Sequence, residues 1–176
     1  MERKPITFSV KMTWKEIFKF TMHHTYHSFA GIFGVLLSLF ALANLIISFD
    51  NLSDQSKTIM TIVAAWFLIF EPLRMLFRSK SQMKLVKAYR KPLDYRVDEQ
   101  GITVSQDEES QTIEWERLYR IIETKSQFLV YSNRINSFIF PKSSLEGQAD
   151  ELGNAMAEYS KDTAVRLLGG MKKRRR

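Results

Sequence analysis

The 176-residue sequence contains no cysteine, and this absence removes several classes of site. Disulfide frameworks, thiolate zinc sites and cysteine nucleophiles are all excluded. The histidines are few and close together, but they do not form the H-E-x-x-H pattern of zinc proteases, and His23 and His27 have no carboxylate or thiol nearby. Neither a G-x-S-x-G motif nor a phosphate-binding glycine loop occurs. The sequence therefore predicts a non-catalytic protein without a catalytic residue, metal site or cofactor.

Acidic residues are scarce outside one segment. The chain has a formal net charge of +7, yet residues 93–150 contain eleven acidic and six basic residues. The excess positive charge lies beside two apolar runs and at the C-terminal end. Nucleic acid binding depends on basic surfaces that neutralise phosphates, so an acidic folded segment argues against it. We expect no nucleic acid partner.

Two long apolar runs follow one another in the first half of the chain. Phe29–Phe49 has no charged residue in 21 positions, and Asn44 is its one strongly polar residue. Thr58–Phe77 is also apolar, although Glu71 and Arg74 lie in its last two turns. A helix needs about 20 apolar residues to cross the roughly 30 Å hydrocarbon core of a bilayer. The pattern predicts a transmembrane helical hairpin.

The charged residues near the end of the second run are expected to pair, because Glu71 and Arg74 are three positions apart on a helix. Pro72 is expected to kink the helix or loosen its last turn. In this interpretation the pair marks the interfacial end of the span. The alternative is that Asn44, Glu71 and Arg74 are intramembrane functional residues, as in a transport site or a proton relay.

Basic residues lie on one side of the predicted hairpin. The connection Asp50–Lys57 contains one lysine and two aspartates, whereas basic residues precede the first run and follow the second. Since Lys and Arg sort to the cytoplasmic side, both termini of a two-span protein of the cell membrane are expected in the cytoplasm. Basic residues near an anionic leaflet favour contact with it; the alternative for the C-terminal group is a solvated, disordered end. The candidate membrane-surface contacts are Arg78, Lys80, Lys84, Lys87, Arg90, Lys91, Lys172, Lys173, Arg174, Arg175 and Arg176.

A signal peptide is a competing interpretation of the first run. Ala41-Leu42-Ala43 resembles a small-residue cleavage site. However, the 28 residues before the run are long for the start of a signal peptide, and the run continues beyond the site. A retained span is the favoured interpretation.

Small residues recur along the first run at Ala30, Gly34 and Ser38, which places them on one helix face and permits close packing. The second run offers a similar set, formed by Thr61, Ala64 and Ala65. We expect the two faces to pack against each other within the hairpin. The alternative is a homo-oligomer formed through the same stripe.

A short amphipathic region precedes the hairpin. Ile6–Val10 alternates apolar and polar residues, as a half-buried strand does. Thr13 and Glu16 fit a capping box. The helix that follows, Trp14–Tyr26, has the composition of an interfacial helix.

Beyond the basic stretch the pattern changes to the alternation typical of short strands. The predicted strands are 93–97, 102–105, 112–115, 119–124, 128–132 and 137–140. A helical pattern follows from Ser144 to about Leu168. The expected fold class is therefore an α+β membrane protein, with a two-helix transmembrane hairpin and a small antiparallel β-roll or barrel of pleckstrin-homology-like type closed by a C-terminal helix. The periodicity equally allows another small α+β roll.

These patterns divide the chain into five predicted segments. They are an N-terminal strand and interfacial helix (1–28), a transmembrane hairpin (29–77, with spans 29–49 and 58–77), a basic juxtamembrane stalk (78–92), a cytoplasmic pleckstrin-homology-like domain (93–168) and a basic tail (169–176).

Several short patterns in the predicted domain resemble the YcxB-like family of bacterial membrane proteins. They are Gly101-Ile102, Ile113-Glu114-Trp115 followed by Leu118, Ile122-Glu123, Phe128–Tyr131, and Ile139–Lys142 ahead of a helix. The resemblance implies two spans followed by a small cytoplasmic domain of bacterial pleckstrin-homology type, and it implies no enzyme activity. Trp115 is expected to anchor the sheet, and Pro141 to end the last strand. Lys142 is either a ligand contact or an exposed basic residue at a strand end.

The function that fits these features is a membrane-tethered binding module that recognises a protein partner or the membrane surface. The alternative is an oligomeric transport or immunity-like protective protein that acts through the hairpin. In that case two helices per chain would have to oligomerise to enclose a pathway.

Overall fold

The computed structural model describes residues 4–160 and 163–168, together with the backbone of 172–173. The chain divides into two compact units. The helical unit is Ile17–Leu85, and the mixed unit combines Met1–Glu16 with Val86–Arg176. The helical unit is thus inserted into the sequence of the mixed unit.

Four helical segments lie between β1 (Ile6–Val10) and the longer part of the mixed unit. They are α1 (Trp14–Tyr26), α2 (Phe29–Ile47), α3 (Asp54–Ala65) and α4 (Glu71–Leu85). Between α1 and α2 the helix is interrupted at Ser28, whose side-chain oxygen accepts a hydrogen bond from the Gly31 N–H. This N-cap starts α2 at the beginning of the first apolar run.

A π-helical turn, Trp66–Phe70, joins α3 to α4, so that one continuous helix runs from Asp54 to Leu85. The turn directly precedes Glu71 and Pro72. Proline lacks an N–H and its ring crowds the preceding turn, and a local widening of the helix accommodates both effects. The expected loosening therefore lies before Pro72, and the helix does not end there. Instead it continues through the first eight residues of the predicted stalk, to Leu85.

Helices α2 and α3 pack through small residues. The buried residues of α2 are Gly31, Gly34, Ser38 and Ala41. Ser38 Oγ donates a hydrogen bond to the Val63 carbonyl at 2.8 Å. The expected contact between small faces is thus present within the hairpin, with a correction: Ala30 and Thr61 are exposed, and the buried Gly31 lies against the Thr25 carbonyl at the end of α1. A helix repeats every 3.6 residues, so a strict four-residue spacing drifts off the contact face.

Within its described residues the mixed unit contains two sheets and one complete α-helix. The first sheet is antiparallel, in the order β1 (Ile6–Val10), β2 (Leu93–Val97), β3 (Gly101–Gln106) and β4 (Glu109–Glu114). The second sheet has the order β7 (Ser137–Pro141), β6 (Gln127–Tyr131), β5 (Arg120–Glu123), β8 (Ala164–Arg166) and β9 (Lys172–Lys173), and β5 and β8 are parallel. Helix α5 (Ala149–Tyr159) lies between β7 and β8 in sequence.

The predicted α+β class and each predicted strand are confirmed, with corrections at two places. The helix predicted from Ser144 to Leu168 ends at Tyr159, and Ala164–Arg166 is a strand beside β5. The second correction concerns closure: within the described residues no strand pairing joins the two sheets, so they do not form one closed barrel. Strand β1 also pairs with β2, from Ile6 opposite Val97 to Val10 opposite Leu93, and so belongs to the first sheet of the mixed unit.

The core of the mixed unit lies where the two sheets meet. The rings of Phe8 and Tyr95 stack at 5.4 Å, and that of Phe140 meets them edge-on at 5.1 and 4.7 Å. All five residues of β6 are buried. Gly101 permits a close approach of strands, because a Cβ atom there would lie 2.2 Å from the Ile113 carbonyl oxygen.

Candidate functional site

The start of α4 carries a buried carboxylate within the helical unit. Glu71 is buried, and the Arg74 Nε–H donates to its Oε2 at 2.9 Å. A second hydrogen bond runs from Arg74 Nη2 to Glu71 Oε1. The Arg74 side chain is 64% exposed and that of Glu71 is 10% exposed. The expected pair is confirmed, and it points its cation outward and keeps its carboxylate inside.

A tyrosine from α1 contacts the π-helical turn beside this pair. The Tyr26 hydroxyl donates to the Phe67 carbonyl at 2.7 Å. A π-helical turn leaves a backbone carbonyl without its usual helical partner, and a side-chain donor can satisfy it. Tyr26 therefore fixes α1 to the second helix at its widened turn, one turn from Glu71.

Asn44, the other candidate intramembrane residue, does not join the Glu71–Arg74 pair. Its Nδ2 donates to the Phe40 carbonyl of its own helix at 2.9 Å. It lies near the loop end of α2, whereas Glu71 lies beyond the π-helical turn at the other end of the hairpin. The three candidate intramembrane residues thus lie at opposite ends of the hairpin, with Asn44 at the loop end and the Glu71–Arg74 pair at the other.

The basic candidate contacts of the stalk are all exposed. Lys91 Nζ lies 2.7 Å from Asp107 Oδ2 at the tip of the β3–β4 hairpin. In the C-terminal group, the backbone of Lys172 and Lys173 forms strand β9. Arg174, Arg175 and Arg176 lie outside the described residues. Contact of these residues with a membrane surface remains a prediction.

His23 in α1 and His27, which directly follows the helix, stack on each other with ring centroids 4.1 Å apart. His27 Nδ1 is hydrogen-bonded to the His23 carbonyl oxygen at 3.0 Å. Over the described part of the chain, no group of three or more His, Cys, Asp or Glu side chains could hold a metal ion.

The mixed unit has an acidic cleft with a volume of about 600 Å³. It is lined by Glu99, Gln100, Glu114, Trp115, Glu116, Glu158 and Tyr159. The Trp115 indole N–H donates to the Asp98 carbonyl at 2.9 Å, and its ring lies 5.8 Å from that of Tyr159. Trp115 is buried, as expected of an anchor, and also forms part of the cleft.

The sequence did not identify this cleft, because its carboxylates come from distant elements. Glu99 lies in the β2–β3 turn, Glu114 and Glu116 surround Trp115, and Glu158 belongs to α5. Each is an ordinary exposed acid in its own segment. The excess of acidic residues over 93–150 was the one signal available.

Lys142 has a structural partner. Its ammonium group forms an ion pair with Glu123, and the other carboxylate oxygen of Glu123 accepts the Leu168 N–H at 2.8 Å. The Lys142 and Glu123 side chains are 24% and 10% exposed. The Lys142 ammonium also lies 5.3 Å from the centre of the Phe128 ring. This residue is therefore neither an exposed strand end nor an open ligand contact.

Arg120, Tyr131 and Ser137 lie opposite one another across β5, β6 and β7. The Arg120 guanidinium lies 4.5 Å from the centre of the Tyr131 ring. Burial raises the pKa of the Tyr131 hydroxyl, and the positive charge of Arg120 partly opposes this rise. The row thus places a buried tyrosine between two half-buried polar side chains.

Comparison with known proteins gives one family match. Residues 97–156 match the family model described as YcxB-like protein. No curated protein and no solved structure matches the chain. The matched segment runs from the end of β2 into α5, and it confirms there the resemblance drawn from the short packing patterns.

Proposed function

We propose that this chain, which is YcxB-like over residues 97–156, is a non-catalytic integral membrane protein that presents a pleckstrin-homology-like binding module at the cytoplasmic face of the cell membrane. The helical hairpin is the anchor, and the mixed unit recognises a protein partner. Membrane-surface contact is assigned to the basic stalk and tail.

The exposure pattern of the hairpin carries the proposal. Ten large apolar side chains of α2 are between 38% and 87% exposed, while its buried face consists of glycine, serine and alanine. In the most apolar 18-residue stretch of each long helix, 22% and 17% of the residues are buried. Leaving one large apolar side chain in water forgoes about 1.5–3 kcal/mol relative to burial. A core helix of a soluble protein would bury these side chains, and a bilayer covers them.

The pleckstrin-homology-like assignment is supported by the order of elements in the mixed unit. A four-stranded sheet is followed by strands of a second sheet and then by α5, whose buried residues include Leu152, Ala155 and Met156. The acidic cleft favours a protein segment over an anionic headgroup as the ligand of this unit, because four glutamates line it.

The test is site-specific photo-crosslinking in native membranes. A photoreactive amino acid replaces Glu116 in the cleft, and in a matched control it replaces Glu108, an exposed glutamate at the β3–β4 turn that does not line the cleft. We expect a defined protein adduct, identified by mass spectrometry, from position 116 and not from 108. Identical adducts from both positions, or none from 116, would refute the binding module.

An oligomeric protein that acts through the hairpin, in transport or in protection, is the second candidate. The observation that favours it is the buried carboxylate of Glu71 beside a π-helical turn, since charged residues and π-helical turns in spans often mark functional sites. Two helices cannot enclose a pathway without further copies. A strictly monomeric protein in mild detergent, measured by light scattering, would exclude this candidate.

A further inference from the structure

We infer that α4 carries a binding site for one membrane phospholipid, in which Arg74 and Arg78 hold the phosphate while the rings of Phe70 and Phe77 contact the lipid chains. The inference rests on the proposed membrane insertion and adds a specific ligand to it.

The hydrogen bonds of Arg74 hold its guanidinium group in an orientation that can bind an anion. Its Nε and one Nη2 proton are directed to the carboxylate of Glu71. A guanidinium has five N–H donors, so three remain on the edges that do not face Glu71. The pairing fixes the guanidinium plane, which reduces the side-chain entropy lost when an anion binds.

Arg78 lies one turn further along the same helix face. It is exposed, and residues four apart are neighbours on a helix surface. Phe70 and Phe77, which are 54% and 65% exposed, are four and three residues from Arg74, and these three side chains form a stripe beside Arg78. Two guanidinium groups beside two apolar rings match the two parts of a phospholipid, because guanidinium binds phosphate oxygens through paired hydrogen bonds.

The position of the stripe along the helix fits the depth of a headgroup. The apolar run begins after Lys57, the last charged residue of the connecting loop. At about 1.5 Å per residue, a core of roughly 30 Å is crossed in about 20 residues. The run therefore leaves the hydrocarbon core close to Phe77, which places Arg74 just inside and Arg78 just outside the edge of the core, and their long side chains reach from there to the phosphate level.

The charges favour an anionic lipid. Glu71 neutralises one of the two arginines, so the group of Glu71, Arg74 and Arg78 carries a net positive charge. Inorganic phosphate would satisfy the guanidinium groups but would leave Phe70 and Phe77 uncovered. A lipid with an anionic phosphodiester headgroup satisfies both.

The test uses the full chain in mild detergent with equal amounts of phosphatidylglycerol and phosphatidylcholine, and native mass spectrometry measures the lipid retained. We expect the wild-type chain to retain phosphatidylglycerol preferentially, and Arg74→Gln/Arg78→Gln to lose at least about tenfold of that affinity. The matched control is Lys125→Gln/Arg134→Gln, which removes the same charge from exposed positions in the mixed unit. Equal losses in both variants would mean diffuse attraction and would overturn the site.

The variant Glu71→Gln distinguishes a site in which Glu71 orients Arg74 from nonspecific electrostatic attraction of the lipid. It raises the local positive charge, so nonspecific attraction would increase lipid retention, whereas a glutamine has a single acceptor oxygen, holds the Arg74 side chain less firmly and so lowers retention. We expect a decrease, and an increase would overturn the inference. Arg78→Gln alone leaves the Glu71–Arg74 pair intact and serves as the test if the double variant does not fold. We expect this single variant to lower lipid retention, and unchanged retention would overturn the site.

Two further arms distinguish the possible failures. Inorganic phosphate should not displace the lipid at millimolar concentration, and displacement would overturn the lipid assignment. Alkaline carbonate extraction of native membranes tests the anchor itself. If the chain is extracted, the proposed function fails; if it stays in the membrane while Arg74→Gln/Arg78→Gln retains lipid normally, only the lipid site fails.

Discussion

Single ion pairs in this chain differ widely in what they contribute, and Glu123 and Glu114 illustrate the difference. Glu123 accepts from Lys142 and from the Leu168 N–H in a largely buried place between β5, β7 and the residues after β8. Glu114 pairs with Arg117 at 3.4 Å, and the Arg117 and Glu114 side chains are 75% and 58% exposed. Exposed pairs are worth little because water and salt screen them.

At the residue scale, Glu123→Gln is expected to destabilise the protein by about 1–3 kcal/mol, because it weakens the bond to the Leu168 N–H and leaves the Lys142 ammonium unpaired. Thermal unfolding in detergent, followed by circular dichroism, measures the change. The matched control, Glu114→Gln, should change stability by less than about 1 kcal/mol. A control as destabilising as Glu123→Gln would show that the burial of the pair is not what matters.

At the scale of elements, the hairpin depends on one close contact between its helices. A Cβ atom at Gly34 would lie 2.3 Å from the Phe67 ring, and the buried Ser38 bonds the Val63 carbonyl on the same face. Without a hydrophobic force between helices inside a bilayer, such packing and hydrogen bonding hold them together. The small residues therefore decide how closely α2 approaches α3.

The replacement Gly34→Leu is expected to destabilise the hairpin by about 1–3 kcal/mol, since the added side chain overlaps Phe67. Ala30→Leu adds a similar volume four residues earlier at an exposed position and should leave the melting temperature nearly unchanged. Both are measured by thermal denaturation in the same detergent. If Ala30→Leu is the more harmful change, the four-residue spacing of the sequence identifies the contact face better than the structure does.

At the scale of the whole molecule, two units of opposite character share one chain. The helical unit exposes large apolar side chains, and the mixed unit buries an aromatic core and carries an acidic cleft. The proposed orientation places the connection between α2 and α3 outside the cell and the mixed unit inside. The absence of cysteine makes this orientation simple to measure.

The expected outcome concerns two single-cysteine variants, Asn51→Cys in the connection and Glu108→Cys in the mixed unit. A membrane-impermeant maleimide should label Asn51→Cys in sealed right-side-out vesicles, and Glu108→Cys after detergent is added. The cysteine-free wild-type chain is the control for background labelling. The reverse pattern would show that the hairpin is inverted, and labelling of both without detergent would show that the mixed unit is not enclosed.

The sequence by itself determined the features that depend on neighbouring residues. Three such features are local patterns: the long uncharged run from Phe29, the pair formed by Glu71 and Arg74, and the alternation in each predicted strand. The helices and strands of the structure lie where these patterns predict them. Such features follow from helix and strand periodicity and do not depend on a partner elsewhere in the chain.

The tertiary structure decided what depends on partners distant in sequence. Strand β1 joins β2 across the inserted helices, Ala164–Arg166 pairs with β5 where a helical pattern was expected to continue, and Glu99 and Glu158 meet in one cleft. Thr163 favours the change from helix to strand, because its hydroxyl is hydrogen-bonded to the carbonyls of Trp115 and Leu118. Local periodicity does not specify such contacts, since the energy that selects them comes from burial and hydrogen bonds that exist once the chain is folded.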